Sequence, residues 1–311
     1  MNRLVAVAIT SALLTACAPG NRVGADLAEV LPDDRIQVNL RTDSELAKDA
    51  EDGIWSNAYL FTARVTDDVN AMIAFPLILV DVITSTPPSE IAEDGNSATW
   101  GPYGDALDPV ETILYVDHDV ELDTYTWSFL QKPKGADDSE YVPIVLGEVD
   151  SGATREVHSG RFTVDFTTAD NLDPNVRATG TFTSEYDVQE DTVSAQAIFI
   201  DFQGERGGDP VDAVYSYDQT PDGAGQMDLG WFDDVNEDGE DDIWVVRSRW
   251  TSEGAGRADS VIAAGGSEVS YAASECWDGS FDPVYQVNSW AGDLMGAEAD
   301  CAFAETSYPE E

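Results

Sequence analysis

From residue 110 to residue 276 apolar side chains recur at every second position, and that period leaves little choice of fold. In "TYTWSFLQ" Tyr125, Trp127 and Phe129 alternate with Thr126 and Ser128. In "GRFTVDFTT" Phe162, Val164 and Phe166 alternate with Thr163, Asp165 and Thr167. A strand points successive side chains to opposite faces, so each such run has one apolar and one polar face. Similar runs lie near 110–117, 141–149, 178–187, 192–202, 211–218, 225–232, 242–251, 257–264 and 268–276. The turn-forming stretches "KPKGADD", "DSGAT", "NLDPN", "QEDT", "GERGGDP" and "TPDGAG" separate them. No helical period intervenes, which predicts an antiparallel meander. About eleven strands are too many to lie flat, so the meander is expected to curl into a barrel or half-barrel.

A different period precedes it. Trp55, Tyr59, Thr62, Val65, Val69, Met72, Ile73, Val80 and Ile83 recur at three- and four-residue steps. This predicts one long N-terminal helix over about 44–84, capped by Asp43 or Ser44. The run "AMIAFPLILVDVI" is apolar almost all round, so the helix is expected to be wrapped by other structure on several sides. Pro76 should kink or break it, and "TPPSE" should end it. The fold class is therefore mainly β, an α+β arrangement of a curled meander packed on this helix.

The chain carries 61 Asp and Glu against 15 Lys and Arg, a net charge of −46. Such a field repels nucleic acid and anionic headgroups, so those partners are set aside. A strongly acidic surface is also what keeps a protein soluble in a salty medium. Apolar residues make up 42% of the 311, enough for a real core.

"MNRLVAVAITSALLTAC" opens the chain with one cation, Arg3, then an apolar run from Leu4 to Leu14. These are the parts of a secretory signal, and the run is too short for a membrane span. Its end, Leu14-Thr15-Ala16-Cys17, resembles the lipobox of bacterial lipoproteins. The resemblance implies a signal peptide over 1–16 and a diacylglycerol on Cys17. It also implies export to the outer membrane, because Ala18 stands where an inner-membrane retention signal would place Asp. Acyl chains would then anchor the protein to the periplasmic or the outer face of that membrane. Residues 17–41 read as the lipidated cysteine and its tether, and 42–311 as a single β-rich domain.

Two further cysteines, Cys276 and Cys301, enclose 24 residues. In an oxidising compartment they are expected to form one disulfide closing a C-terminal segment.

The densest chemical signal is "DVNEDGEDD", residues 234–242. Counting from Asp234, the residues Asp234, Asn236 and Asp238 fill positions one, three and five. Gly239 is sixth, Glu240 seventh and Asp242 ninth. Calcium takes six to eight oxygens at short range, and alternate residues of a tight loop converge on one ion. The spacing resembles an EF-hand loop, but position twelve is Val245 rather than a bidentate Glu. It is closer to integrin-type loops, which run into a strand, as "IWVVRSRW" does here. The resemblance implies calcium held by the Asp234, Asn236, Asp238 and Asp242 side chains and the Glu240 carbonyl. A charged hairpin turn without metal is the alternative.

Catalytic signals are thin. His118 in "VDHDVELD" stands in a turn and His158 in "REVHSG" at the start of a strand, both expected at the surface, with no nucleophile elbow or zinc spacing. Arg247, Arg249 and Arg257 are conspicuous in a cation-poor chain and read as ion-pair partners of nearby acids, with a ligand-facing role as the alternative. The helix ending in Pro-Pro, Trp100-Gly101-Pro102, "GAGRAD" (254–259) and "ECWD" (275–278) together resemble β-rich Gram-negative outer-membrane lipoproteins of unassigned activity. A looser likeness in element order is to half-barrel lipoprotein carriers of acyl chains. The expected function is a non-enzymatic structural or binding module, lipid-anchored and calcium-clipped. The alternative is a carrier of a hydrophobic ligand in the barrel lumen, favoured if the lumen is empty and disfavoured if Phe75, Leu77 and Leu79 fill it.

Overall fold

The computed structural model describes residues 56–150, 154, 157–204, 209–233, 242–264, 268–289 and 291–308. Helix α1 spans Asn57–Thr84. The strands then follow in order: β1 (Glu90–Ile91), β2 (Ser97–Tyr103), β3 (Val110–Asp119), β4 (Thr124–Pro133), β5 (Val142–Val149) and β6 (His158–Asp165). A short helix α2 (Phe166–Leu172) intervenes before β7 (Thr179–Val188), β8 (Val193–Gln203), β9 (Val211–Gln219), β10 (Gly225–Asp233) and β11 (Asp242–Trp250). The chain ends in β12 (Gly256–Ala264), β13 (Glu268–Trp277), β14 (Pro283–Asn288) and β15 (Gly292–Gly296).

All fifteen strands form one antiparallel sheet whose spatial order is the sequence order. The eleven alternating runs are β3 to β13. Four short strands lie outside them, two at each edge. β1 and β15 do not pair with each other, so the sheet is open and the expectation of a closed barrel is corrected. At the edges β1 has two residues and β15 has five, and such short edge strands offer little backbone for further pairing. The run "GRFTVDFTT" is also shorter than its alternation suggests. Asp165 caps α2 by accepting from the Thr168 amide at 2.8 Å, so Phe166 and Thr167 are helical.

Helix α1 begins at Asn57, with the Ser56 hydroxyl accepting from the Tyr59 amide. The cap is therefore Ser56 rather than Asp43 or Ser44, which lie outside the described residues. The helix runs unbroken through Pro76, whose ring is buried beside Ile73 and Leu77. Packing of that stretch holds the helix across the one hydrogen bond that proline cannot donate. No described helix is long and apolar enough to cross a membrane.

The buried cluster combines Val69, Ile73, Leu77 and Val80 of α1 with ring and aliphatic side chains of β2 through β11, including Trp100, Leu114, Trp127, Phe162, Phe182 and Tyr215. Among the described residues the other side of α1 is left exposed. Phe75 is 65% exposed, Ile78 58% and Val82 57%, in a stripe at three- and four-residue spacing. One sheet surrounds only one face of one helix, which corrects the expectation of cover on several sides.

Four rings of the inner face lie over glycines directly across the ladder. The pairs are Trp127 with Gly147, Tyr186 with Gly160, Trp250 with Gly225 and Trp277 with Gly256. A Cβ at Gly147 or Gly256 would overlap the facing indole. The missing Cβ leaves room for each ring over the neighbouring strand, so bulky rings fit on this face. Two of these contacts repeat in detail. In "TPDGAG" and "TSEGAG" the carbonyl of the first glycine, Gly223 or Gly254, accepts the indole N–H of Trp250 or Trp277, each at 2.9 Å.

Gly256→Ala is expected to cost about 1–3 kcal/mol by overpacking. Gly230→Ala, whose Cβ would meet nothing closer than 3.6 Å, should stay within about 0.5 kcal/mol of the parent. Urea unfolding of the two variants checks the difference.

Candidate functional site

The sequence-predicted sites divide between described and undescribed residues. Cys17, Asp234, Asn236, Asp238 and Glu240 lie outside the described residues. Asp242 opens β11, is buried, and pairs in register with Asp233 at the end of β10. Among the described residues no group of three or more His, Cys, Asp or Glu forms a metal-holding cluster. Cys276 and Cys301 are bonded to each other, with Cα atoms 5.6 Å apart.

That disulfide pins a C-terminal strap, residues 297–308, against the outer face of β11–β13. Cys276 is fully buried there. Three arginines meet the strap. Arg257 Nη1 donates to the Phe303 carbonyl at 3.1 Å and pairs with Glu298 at 2.8 Å. Arg249 Nη2 donates to the Glu305 carbonyl at 2.7 Å, and its guanidinium sits 5.0 Å from the centre of the Phe303 ring. Arg247 Nη1 donates to Ser307 Oγ at 3.0 Å. Beneath them Asp259, wholly buried, accepts from Arg257 Nε at 2.8 Å, Arg249 Nη2 at 2.9 Å, Ser274 Oγ at 2.6 Å and the Ser307 amide at 3.0 Å. Arg247 also grips Asp228 with two bonds, at 2.6 and 2.7 Å. The reading of the three arginines as ion-pair partners holds. Glu298 and Ser307 could not be chosen from the sequence, because they meet arginines far upstream, 60 residues for Ser307 and Arg247, and leave no local pattern; Asp259 lies two residues from Arg257 but is one acid among many.

The same face carries a polar ladder. In register across seven strands stand Glu148, Arg161, Glu185, Gln196, Ser216, Asp228 and Arg247. Alternating signs on neighbouring strands avoid like charges face to face. Two open hollows of about 550 and 480 Å³ lie along this row and share Gln196 and Ser216.

A third hollow of about 270 Å³ sits where the start of α1 meets β11–β14, walled by Phe61, Trp244, Val246, Tyr271, Glu275 and Gln286. Glu275 is nearly buried. It accepts from Ser56 Oγ, from the Ala58 amide at 3.4 Å and from Gln286 Nε2 at 3.0 Å. A carboxylate at a helix N-terminus also faces the positive end of the helix dipole. Further along α1, Thr62 shares a hydroxyl bond with Ser248 at 2.7 Å and Thr66 meets the Met227 sulfur at 3.8 Å. The first half of α1 is thus seated on the sheet by polar pairs as well as by the apolar cluster around Tyr59, its second half by apolar packing. Tyr59 stacks on Phe281 at 4.1 Å, and burial followed by the charge of Asp67 pushes its phenol up to about 12.

Both histidines have structural partners. His118 stacks on Tyr125 at 4.1 Å and meets Asp123 at 3.2 Å. His158 stands at the start of β6, as its sequence context predicts, but it is buried rather than a surface residue, with Nδ1 3.0 Å from the Thr154 carbonyl.

Asp259→Asn would remove the buried carboxylate from Arg257, leaving it only the half-exposed Glu298, and a loss of about 3 kcal/mol is expected. Arg161→Gln breaks an exposed pair with Glu148 and should cost less than about 1 kcal/mol. Denaturant midpoints of both variants test the contrast. Comparison with protein-family models, with curated proteins and with solved structures finds no match to this chain.

Proposed function

We propose that this chain is a lipid-anchored protein of the outer membrane that acts as a structural or binding module rather than as a catalyst. The observation that carries the reading is how its interior is filled. Leu77, Ile73 and Val80 of α1 are buried against Trp100, Trp127 and Phe162, so the space a lumenal ligand would need is taken by side chains. The same filling supports reading the open sheet as a half-barrel closed on its concave side by α1. The buried ionic groups of the outer face, Arg257 and Asp259, are engaged in holding the strap. In this reading the acyl chains on Cys17 hold the domain at the membrane, and calcium bound by Asp234, Asn236, Asp238, Glu240 and Asp242 clips the turn between β10 and β11.

A second reading has one specific observation behind it. The apolar stripe Phe75, Ile78, Val82 is exposed on α1, so a hydrophobic ligand would lie over the helix instead of beneath it.

Cys17→Ser is expected to move the protein from the membrane to the soluble fraction, and mass spectrometry of the parent's N-terminal peptide should show the acyl mass. Recovery of the variant in the membrane would remove the anchor from the proposal. For the clip, the melting temperature at fixed high ionic strength should rise in calcium over EDTA and magnesium, by mass action on the native state. Asp238→Ala should abolish that rise. Equal melting in all three buffers would leave an acidic hairpin turn.

A further inference from the structure

The strap over β11–β13 is fastened in an unusual way. Its residues 298, 302, 304, 305, 306 and 308 are exposed, and Phe303 and Ser307 are only half-buried. Little apolar area holds it, and segments with few buried apolar contacts open at low free-energy cost. One covalent bond, Cys276–Cys301, a set of arginine contacts to its backbone, Glu298 and Ser307, and the Ser307 amide on Asp259 do the holding.

What lies beneath is cationic in a chain of net charge −46. Arg249 and Arg257 stand directly opposite each other on adjacent strands, an arrangement that repels unless an anion bridges it. Asp259 bridges them from within the sheet, and the strap meets them from outside. Counting the ion pairs there, Arg247, Arg249 and Arg257 face Asp228, Asp259 and Glu298. Without Glu298 the balance is three positive charges against two negative. Without the strap, Arg257 also loses the Phe303 carbonyl, Arg249 the Glu305 carbonyl and Arg247 the Ser307 hydroxyl. Each freed group is a guanidinium N–H, and several such forks converging suit the oxygens of a carboxylate or phosphate.

We propose that residues 297–308 are a redox-released latch, and that the three-arginine face beneath them binds an anionic group, a carboxylate or a phosphate. The release is a thiol–disulfide exchange with a dithiol. Its thiolate attacks Cys301 Sγ, the less buried half of the bond, and Cys276 leaves as the thiolate and takes up a proton. The second thiol of the reductant then displaces Cys301, so two cysteine thiols form as the dithiol becomes a disulfide. This inference does not rest on the lipid anchor or the calcium clip.

The test uses the full chain in detergent, oxidised or reduced with dithiothreitol. Hydrogen exchange should show the Ser307 amide, bound to Asp259, exchanging at least about tenfold faster after reduction, with β11–β13 still protected. Inorganic phosphate, titrated by calorimetry, should bind the reduced form and not the oxidised one. Arg249→Gln should abolish binding by the reduced form. Cys301→Ser opens the latch without reductant and should bind phosphate in oxidising buffer. Undiminished protection of Ser307 after reduction overturns the latch, as does loss of protection throughout β11–β13. Phosphate binding absent from the open form, or unchanged in Arg249→Gln, overturns the anion site.

Discussion

An open antiparallel sheet has two faces, and one of them must be kept from water. Here the face carries rings on many of its strands, and among the described residues α1 packs into that cluster. Ile73, Leu77 and Val80 press into the same cluster as Trp100, Trp127, Phe162 and Tyr215. The other features follow from that seat. The helix is tied at its start by Ser56, which donates to the Phe281 carbonyl and to Glu275, and at its end by the Trp100 indole on the Thr86 carbonyl. Its two ends therefore reach β13 and β2, far apart in the order of strands. The four ring-over-glycine pairs let bulky side chains crowd the face that α1 packs against.

The outer face solves the opposite problem. It carries charge across many strands, and its ladder from Glu148 to Arg247 alternates in sign where neighbours face each other. Under the strap two ionic groups, Arg257 and Asp259, are taken fully out of water. Removing two ions from water is costly, and the cost is met when every donor and acceptor is engaged. Asp259 accepts four hydrogen bonds. A strap that supplies part of that set is therefore part of the energetics of the face beneath it.

The eleven central strands were legible because alternation is local: each run names its own buried face. The helix was legible from its period, as was the disulfide from a count of two cysteines. Less legible was which side of α1 would be covered. An all-round apolar run looks buried on every side, yet Phe75, Ile78 and Val82 are exposed because the sheet ends before it closes. His158 looked like a surface residue, and its burial depends on Tyr186 beside it. The repeated turns "TPDGAG" and "TSEGAG" were a signal that could have been used. Each stands where its last glycine faces a tryptophan one strand away.

The amino-acid sequence by itself determined the strand count of the central meander, the existence of α1 and the pairing of the last two cysteines, since each rests on period or number within a short window. Only the tertiary structure decided that the sheet stays open, that α1 keeps one apolar face outward, and that Asp259, Glu275 and Glu298 are the acids that matter among 61. Carboxylates look alike along a chain. They differ by what the fold brings against them: Glu275 meets a helix N-terminus, Asp259 two guanidiniums, and Glu298 the one cation that its strap covers.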